Sequence, residues 1–266
     1  MPAGAGTRQS PRHAGRSIFV GMFPYKDENP TLRTPIVTLA LIAANIAAWV
    51  LVQGMGQGLA LENSVCHLGF VPGHLFGTLL PDAEISLGGG RSCTVGDLPA
   101  SLTVLTSMFM HGGWLHLLGN MWFLWVFGNN VEDSTGRLRF LVFYLLCGAI
   151  AALAQGVADP QSAIPMVGAS GAISGVMGAY IVLYPKVRVH MLIFLGIFVT
   201  TIVVPAYLML AYWFLLQLLG SLPTLAKGSG GVAFLAHLGG FVAGMVLVLL
   251  FRNRALVAQR DTHLFA

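Results

Sequence analysis

Charged side chains are scarce in this chain. Only 9% of its 266 residues are Asp, Glu, Lys or Arg, whereas a soluble globular domain carries about 25%. Hydrophobic residues make up 56% of the chain, and the mean hydropathy is +0.77. This composition excludes an ordinary soluble domain and indicates a protein that crosses a membrane several times.

Basic runs and metal-ligand spacings are also missing. The net charge is +4, yet Lys and Arg form no cluster and do not alternate with aromatic residues, so nucleic acid is excluded as a partner. The three cysteines lack metal-site spacing, and neither a metal nor another cofactor is expected. Cys147 lies in an apolar stretch and is predicted to be buried. Cys66 and Cys93 share one loop; they are expected to pair if it faces an oxidising compartment and to stay reduced otherwise.

The first 33 residues contain no apolar run, so they do not form a secretory signal. Their Arg-rich, acid-poor beginning is a weak feature of transit peptides, but a solvated cytoplasmic tail is the preferred interpretation. The predicted organisation is a cytoplasmic tail over residues 1–33, a membrane domain over residues 34–252 and a second cytoplasmic tail over residues 253–266.

Long apolar runs predict six transmembrane helices, since about 20 residues are needed to cross the hydrocarbon. The stretch His190–Pro205 is left out of that count, because its β-branched residues and its proline disfavour a helix. A membrane-associated loop is predicted there instead. The predicted fold class is thus an all-α polytopic membrane protein, a compact bundle of six helices. The six spans are Pro35–Gln53, Trp114–Asn129, Leu138–Val157, Ser170–Tyr184, Ala206–Gly220 and Val232–Phe251.

The distribution of Lys and Arg predicts the orientation of these spans. With the N-terminus in the cytoplasm, twelve of the 14 basic residues lie on the inner side, and only Arg91 and Lys227 lie outside. Positive residues favour the cytoplasmic side of a membrane. Both termini are therefore predicted to be cytoplasmic.

Polar side chains in three of the spans are predicted to share one depth. Ser170 and His237 each lie 15 residues from the inner boundary of their span, and His116 lies 16 residues from it. At about 1.5 Å per residue, all three are roughly 22–24 Å from the inner side. In a core of about 30 Å, that is roughly 7–10 Å below the outer surface. Asn120 lies one turn deeper, on the same face as His116.

Ser170 lies in the stretch GASGAISG and has two interpretations. Small residues often mark close helix packing in membranes, and taken alone Ser170 is more often such a residue than a nucleophile. The two interpretations are compatible, because glycines on spans four and six would bring Ser170 close to His237. Neutral imidazole can take the proton of a serine hydroxyl, and His116, Asn120 and the Ser170 backbone N–H can donate to an oxyanion. None of the ten acidic residues lies at this depth, so a Ser–His dyad is predicted.

The pattern resembles the rhomboid intramembrane serine proteases, over roughly residues 30–252. The resemblance implies that Ser170 is the nucleophile and His237 the general base, with His116, Asn120 and Gly168 at the oxyanion hole and span five as part of a lateral gate. Two features depart from the family: Ser174 replaces an aromatic residue that stacks on the histidine in some members, and residues 54–106 contain no Trp. Packing or the Ser174 hydroxyl would then have to orient His237. The motifs that carry the resemblance are His111, His116 and Asn120; Gly168, Ser170 and Gly171; and Ala236, His237 and Gly240.

The resemblance implies a serine endopeptidase that cleaves single-span transmembrane proteins near the outer boundary of the lipid bilayer. One alternative is a catalytically inactive rhomboid-like protein that binds membrane clients; the presence of both dyad residues argues against it. A second alternative is a small transporter, which would carry polar residues through the whole membrane or show inverted repeats. The expected location is a bacterial inner membrane, with a mitochondrial membrane as the next choice.

Overall fold

The computed structural model describes residues 20–88, 91–195, 198–227 and 233–265. Three predictions fall partly outside this range: residues 1–19 of the N-terminal tail, Val232 at the start of the sixth predicted span, and Ala266 at the end of the C-terminal tail. In the described residues ten α-helices accompany five short strands. The helices are α1 (Ile36–Leu51), α2 (Gly58–Leu68), α3 (Pro72–Leu75), α4 (Ala100–Thr106), α5 (Trp114–Thr135), α6 (Arg137–Ala158), α7 (Ser170–Leu183), α8 (Ala206–Lys227), α9 (Phe234–Phe251) and α10 (Arg254–Phe265). The strands are β1 (Val20–Asp27), β2 (Glu84–Gly88), β3 (Arg91–Thr94), β4 (Arg188–Leu195) and β5 (Phe198–Pro205).

Each of the six predicted spans coincides with a helix: α1, α5, α6, α7, α8 and α9. Among the described residues, α6 and α9 are long and apolar enough to cross a membrane by length and composition. Helices α1, α7 and the apolar part of α8 are shorter. The mostly helical fold is therefore confirmed, whereas the count of six spans stays a prediction.

Glycines bring α7 and α9 into direct backbone contact. A Cβ atom added at Gly240 would overlap the carbonyl oxygen of Gly171, and one at Gly244 would overlap that of Gly175. Gly178 packs in the same way on the carbonyl of Phe241. Close approach of this kind is the usual function of small residues between apolar helices. It fixes the start of α7 beside α9, where the site described below lies.

The all-α prediction is wrong in two regions: β2 and β3 pair in the loop between α3 and α4, and a larger sheet includes the segment expected to be a membrane-associated loop. Strands β4 and β5 form an antiparallel hairpin there, from Arg188↔Pro205 to Leu195↔Phe198. Strand β1, which comes from the expected N-terminal tail, pairs with the other edge of β4. The hairpin contains many β-branched residues, which favour strands over helices. The residues that disfavour a helix thus form strands, and the pairing of β1 with β4 places the N-terminal segment in this sheet.

The C-terminal segment, expected to be a tail, forms α10 and buries one charge. Arg260 is only 1% exposed. Its guanidinium donates to Tyr184 Oη at 2.6 Å, to Asn130 Oδ1 at 2.9 Å and to Asn29 Oδ1. A buried arginine needs such partners, and they tie α10 to the end of the bundle opposite Ser170.

Acidic residues at the end of α5 hold the N-terminus of α1. The Glu132 carboxylate accepts from the Val37 N–H at 3.0 Å, and from the N–H and hydroxyl of Thr38 at 2.8 Å each. These amides belong to the first turn of α1, which has no partners within its own helix. Asp133 pairs with Arg33 at 2.9 Å. The end of α5, before the connection to the third predicted span, therefore has a structural role: it holds the start of α1.

Cys66 and Cys93 form a disulfide that joins α2 to β3, with a Cα–Cα distance of 6.3 Å. The pairing left open by the sequence is thereby decided. Cys147 is free and buried, as predicted.

Candidate active site

Side chains from four helices line one cavity of about 510 Å³. Helix α5 contributes His116 and Asn120, α7 contributes Ser170, and α9 contributes His237. The polar residues predicted to share one depth are therefore brought together. The fourth helix, α8, contributes Trp213 and Gln217, which the sequence analysis did not single out.

Ser170 and His237 are in hydrogen-bond contact, with 2.8 Å between Ser170 Oγ and His237 Nε2. Ser170 is the first residue of α7, and His237 lies in the first turn of α9. The backbone contacts between Gly171 and Gly240 hold these two helix starts side by side. A neutral imidazole in this position can accept the serine proton, which is the requirement for a base-activated nucleophile.

Gly168 lies against the two other predicted site residues. Its φ is +124°, in the region that favours glycine, and its N–H donates to the Ser107 carbonyl at 2.9 Å. A Cβ atom there would lie 2.7 Å from the His116 ring and 3.5 Å from Asn120 Nδ2. Only a glycine leaves this space open between the serine and the two polar side chains.

His116 and Asn120 are placed to donate into the cavity. His116 Nδ1 accepts from the Gly112 N–H at 3.4 Å, so in the neutral ring the proton lies on Nε2, the atom beside Gly168. Asn120 Nδ2 is buried, with no hydrogen-bond partner among the described residues. The first helical bond of α7 runs from the Ile173 N–H to the Ala169 carbonyl, so the N–H of Ser170 precedes the bonded part of the helix. Together these groups can donate to a developing negative oxygen.

The second ring nitrogen of His237 also has a partner. His237 Nδ1 lies 2.8 Å from Oε1 of Gln217. The Trp213 ring lies beside the imidazole, with 6.0 Å between centroids and an interplanar angle of 41°. Ser174, which was considered for this task, donates to the Ser170 carbonyl at 2.6 Å instead. Two further contacts of the His237 ring therefore come from α8, at Gln217 and Trp213.

His111 packs against the His116 ring. Its ring is fully buried and packs edge-on against the His116 ring at 5.2 Å. The Gln53 side chain bonds to both the N–H and the carbonyl of His111, at 2.7 and 2.8 Å. Burial, reinforced by the nearby His116, lowers the pKa of His111 to about 3, so this ring is neutral. His111, which lies before α5, has no contact with the dyad that would give it a chemical role.

A signal for Gln217 was present in the sequence. It is a carboxamide inside the predicted span Ala206–Gly220, where an uncompensated polar group is costly. A search for polar residues that is restricted to spans two, four and six does not find it. In the part of the chain that the structure describes, no group of three or more His, Cys, Asp or Glu residues could hold a metal ion.

Helices α5, α7 and α9 pack together around a serine in contact with a histidine, which is the arrangement expected from the resemblance described above. A family model described as Rhomboid domain matches residues 100–254, more than half of the chain. The chain belongs to the rhomboid family, and a rhomboid domain makes it an integral membrane protein.

Several curated relatives are similar over part of their length. Rhomboid-like protein 11, chloroplastic, of Arabidopsis thaliana is 31% identical over 58% of this chain and 54% of its own length. Rhomboid protein 1, mitochondrial, of Saccharomyces cerevisiae is 30% identical over 63% of this chain and 46% of its own. Rhomboid protease GluP of Bacillus subtilis is 42% identical over 29% of this chain and 14% of its own. The chain thus spans about half or less of these relatives.

Proposed function

We propose that this chain is an intramembrane serine endopeptidase that cleaves transmembrane segments of other membrane proteins. The observation that carries the proposal is the 2.8 Å contact between Ser170 Oγ and His237 Nε2, at a cavity that also holds buried donors. A packing serine needs neither a histidine partner nor a neighbouring set of unpaired donors. One relative is named a rhomboid protease and another a putative rhomboid protease, which supports the same activity.

In the proposed mechanism, His237 Nε2 takes the Ser170 proton as Oγ attacks the scissile carbonyl carbon. The carbonyl oxygen becomes an oxyanion that accepts from His116 Nε2–H, Asn120 Nδ2–H and the Ser170 N–H. His237 then gives its proton to the leaving amine, and the peptide bond breaks to leave an acyl ester on Ser170. Water then attacks the ester carbon while His237 Nε2 takes its proton; the C–Oγ bond breaks, His237 returns the proton to Oγ, and the product leaves as a carboxylic acid.

The proposed arrangement in the membrane is the six-span bundle with both termini in the cytoplasm. The dyad then lies near the outer side, and the substrate is the single-span helix of another protein that enters from the bilayer and is cut near its outer boundary. The relatives do not establish the bacterial inner membrane expected from the sequence, because several are named chloroplastic or mitochondrial and others come from Bacillus subtilis. The proposal is therefore limited to a multi-pass membrane location.

A second candidate function is an inactive rhomboid-like protein that binds membrane clients. It is favoured by the relatives whose names describe them only as rhomboid-like proteins. It requires no contact between Ser170 and His237, whereas the protease does.

The test is cleavage of a fluorescently labelled single-span helix by the full chain in detergent. Wild type is compared with Ser170→Ala and His237→Ala, and with two matched controls at described residues outside the cavity lining. Ser221→Ala removes a hydroxyl that donates to the Leu218 carbonyl within α8, and His190→Ala removes a ring paired with Glu28. Wild type and both controls are expected to cleave, and both dyad variants to be inactive. If the Ser170→Ala variant still cleaves the substrate, the proposed mechanism is wrong. If wild type leaves the substrate intact, the client-binding function is favoured.

A further inference from the structure

We propose that Gln217 is a positioning residue that fixes the tautomer of His237, so that the catalytic unit is a Ser170–His237–Gln217 chain. This inference rests on the proposed function. It extends that function because the sequence offers no carboxylate at the depth of the dyad, and the structure brings a carboxamide to the position a third member would occupy.

The geometry of the imidazole carries the argument. Gln217 Oε1 and Ser170 Oγ lie at 2.8 Å from the two opposite ring nitrogens, Nδ1 and Nε2. A neutral imidazole has one donor nitrogen and one acceptor nitrogen. A carbonyl oxygen only accepts, so Nδ1 carries the proton and Nε2 offers its lone pair to Ser170. That is the tautomer a general base needs.

The surroundings of Gln217 indicate why a polar side chain is retained there. Its neighbours on α8 are exposed apolar residues, Leu215, Leu216, Leu218 and Leu219, between 43% and 53% exposed. A carboxamide in such a helix is costly unless it is paired, and the described partner of Gln217 Oε1 is the His237 ring. Trp213 lies one turn earlier on the same face of α8 and also contacts that ring. One face of α8 thus supplies a hydrogen-bond acceptor, Gln217, and an aromatic ring, Trp213, that both contact His237.

A carboxamide suits this position better than a carboxylate. Burying a charge carries a large desolvation cost, while a neutral acceptor orients the ring at much lower cost. The Cys–His–Asn arrangement of papain-like proteases uses a carboxamide in the same position relative to its histidine. Among the described residues, His116 is the other titratable side chain that lines the cavity, so no carboxylate there competes for Nδ1.

The test compares Gln217→Leu and Gln217→Glu with wild type in the cleavage assay of the labelled single-span helix, with Ser221→Ala as the matched control on α8. Gln217→Leu keeps the volume but removes the acceptor, and we expect kcat to fall about 10- to 100-fold with KM changed less than about twofold. Gln217→Glu keeps the acceptor and adds a charge that stabilises the imidazolium. We expect it to retain cleavage, with the acidic limb of the kcat/KM profile moved to higher pH.

A role in packing alone would lower the unfolding temperature of Gln217→Leu without a selective loss of kcat, and it would leave the pH profile of Gln217→Glu unmoved. Either result overturns the inference. If Gln217→Leu does not fold, the pH profile of Gln217→Glu decides by itself. The proposed function fails separately: wild type that does not cleave, or Ser170→Ala that does, contradicts the protease itself, whatever Gln217 does.

Discussion

Replacing Gly168 by alanine tests whether the space beside His116 is required for catalysis. The residue has a φ of +124°, which an L side chain adopts at a cost of about 1–3 kcal/mol. The new Cβ would also lie 2.7 Å from two atoms of the His116 ring. Ordinary van der Waals contact begins near 3.4 Å, so the ring has to move by about 0.7 Å or the loop has to shift.

A shift of this size takes His116 Nε2 away from its place beside Gly168, in the cavity that Ser170 also lines. The loss of one oxyanion donor costs about 10²–10³ in kcat, which is about 2.7–4 kcal/mol. We therefore expect Gly168→Ala to lower kcat for the labelled single-span helix about 100-fold or more, with a smaller change in KM. The assay is steady-state cleavage in detergent, with the unfolding temperature measured on the same preparation.

Gly112→Ala is the matched control. It places a Cβ 3.9 Å from Nδ1 of the same ring, an ordinary contact, and it keeps the N–H that bonds to that atom. Its kcat is expected to stay within about threefold of wild type. If Gly168→Ala cleaves as fast as Gly112→Ala, the account of the oxyanion hole is refuted.

Three further predictions concern stability, each measured by equilibrium unfolding in detergent. Glu132→Gln removes the charge that accepts three bonds from the start of α1 and is expected to lower the free energy of unfolding by about 2–4 kcal/mol; exposed Glu84→Gln is the control, and equal effects would contradict the capping role. Reduction of the Cys66–Cys93 disulfide, which spans 27 residues, is expected to cost about 3.5 kcal/mol by loop entropy, and no change with reductant would contradict this. Burial raises the pKa of Asp27 from 3.8 to about 6, although Tyr180 and Arg260 oppose the shift. The folded state then holds this proton more tightly than the unfolded state, so its contribution is full below about pH 4 and is lost as the pH rises through about 6; Asp27→Asn should abolish that dependence, and an unchanged pH profile would contradict it.

The helices and the meeting of the polar groups could be predicted because both depend on local patterns. Apolar runs of sufficient length mark α6 and α9, and the rise of a helix fixes the relative depth of Ser170 and His237. The glycines of α7 and α9 indicated close packing, which the backbone contacts of Gly171 with Gly240 confirm.

The sheet and the C-terminal helix depend on contacts between distant parts of the chain. Strand β1 pairs with β4 across about 170 residues, and nothing in the tail itself predicts that partner. Arg260 is charged and close to the C-terminus, which favours a solvated position, yet partners from three other segments bury it. The pairing of Cys66 with Cys93 required the distance between them, which their spacing does not supply.

The partner of His237 was missed for a different reason. The search for a third group was a search for a carboxylate, and the chain has none at that depth. A neutral carboxamide satisfies the same hydrogen bond, and Gln217 lies among leucines that hide it in a hydropathy profile.

Covalent labelling of the serine tests the central claim most directly, because it needs no knowledge of the natural substrate. The full chain in detergent is treated with a fluorophosphonate, and the modified residue is located by peptide mass spectrometry. We predict one adduct on Ser170, absent in Ser170→Ala and slowed at least about tenfold in His237→Ala. Equal labelling of wild type and Ser170→Ala, or an adduct on another serine alone, would contradict the assignment of Ser170 as the nucleophile.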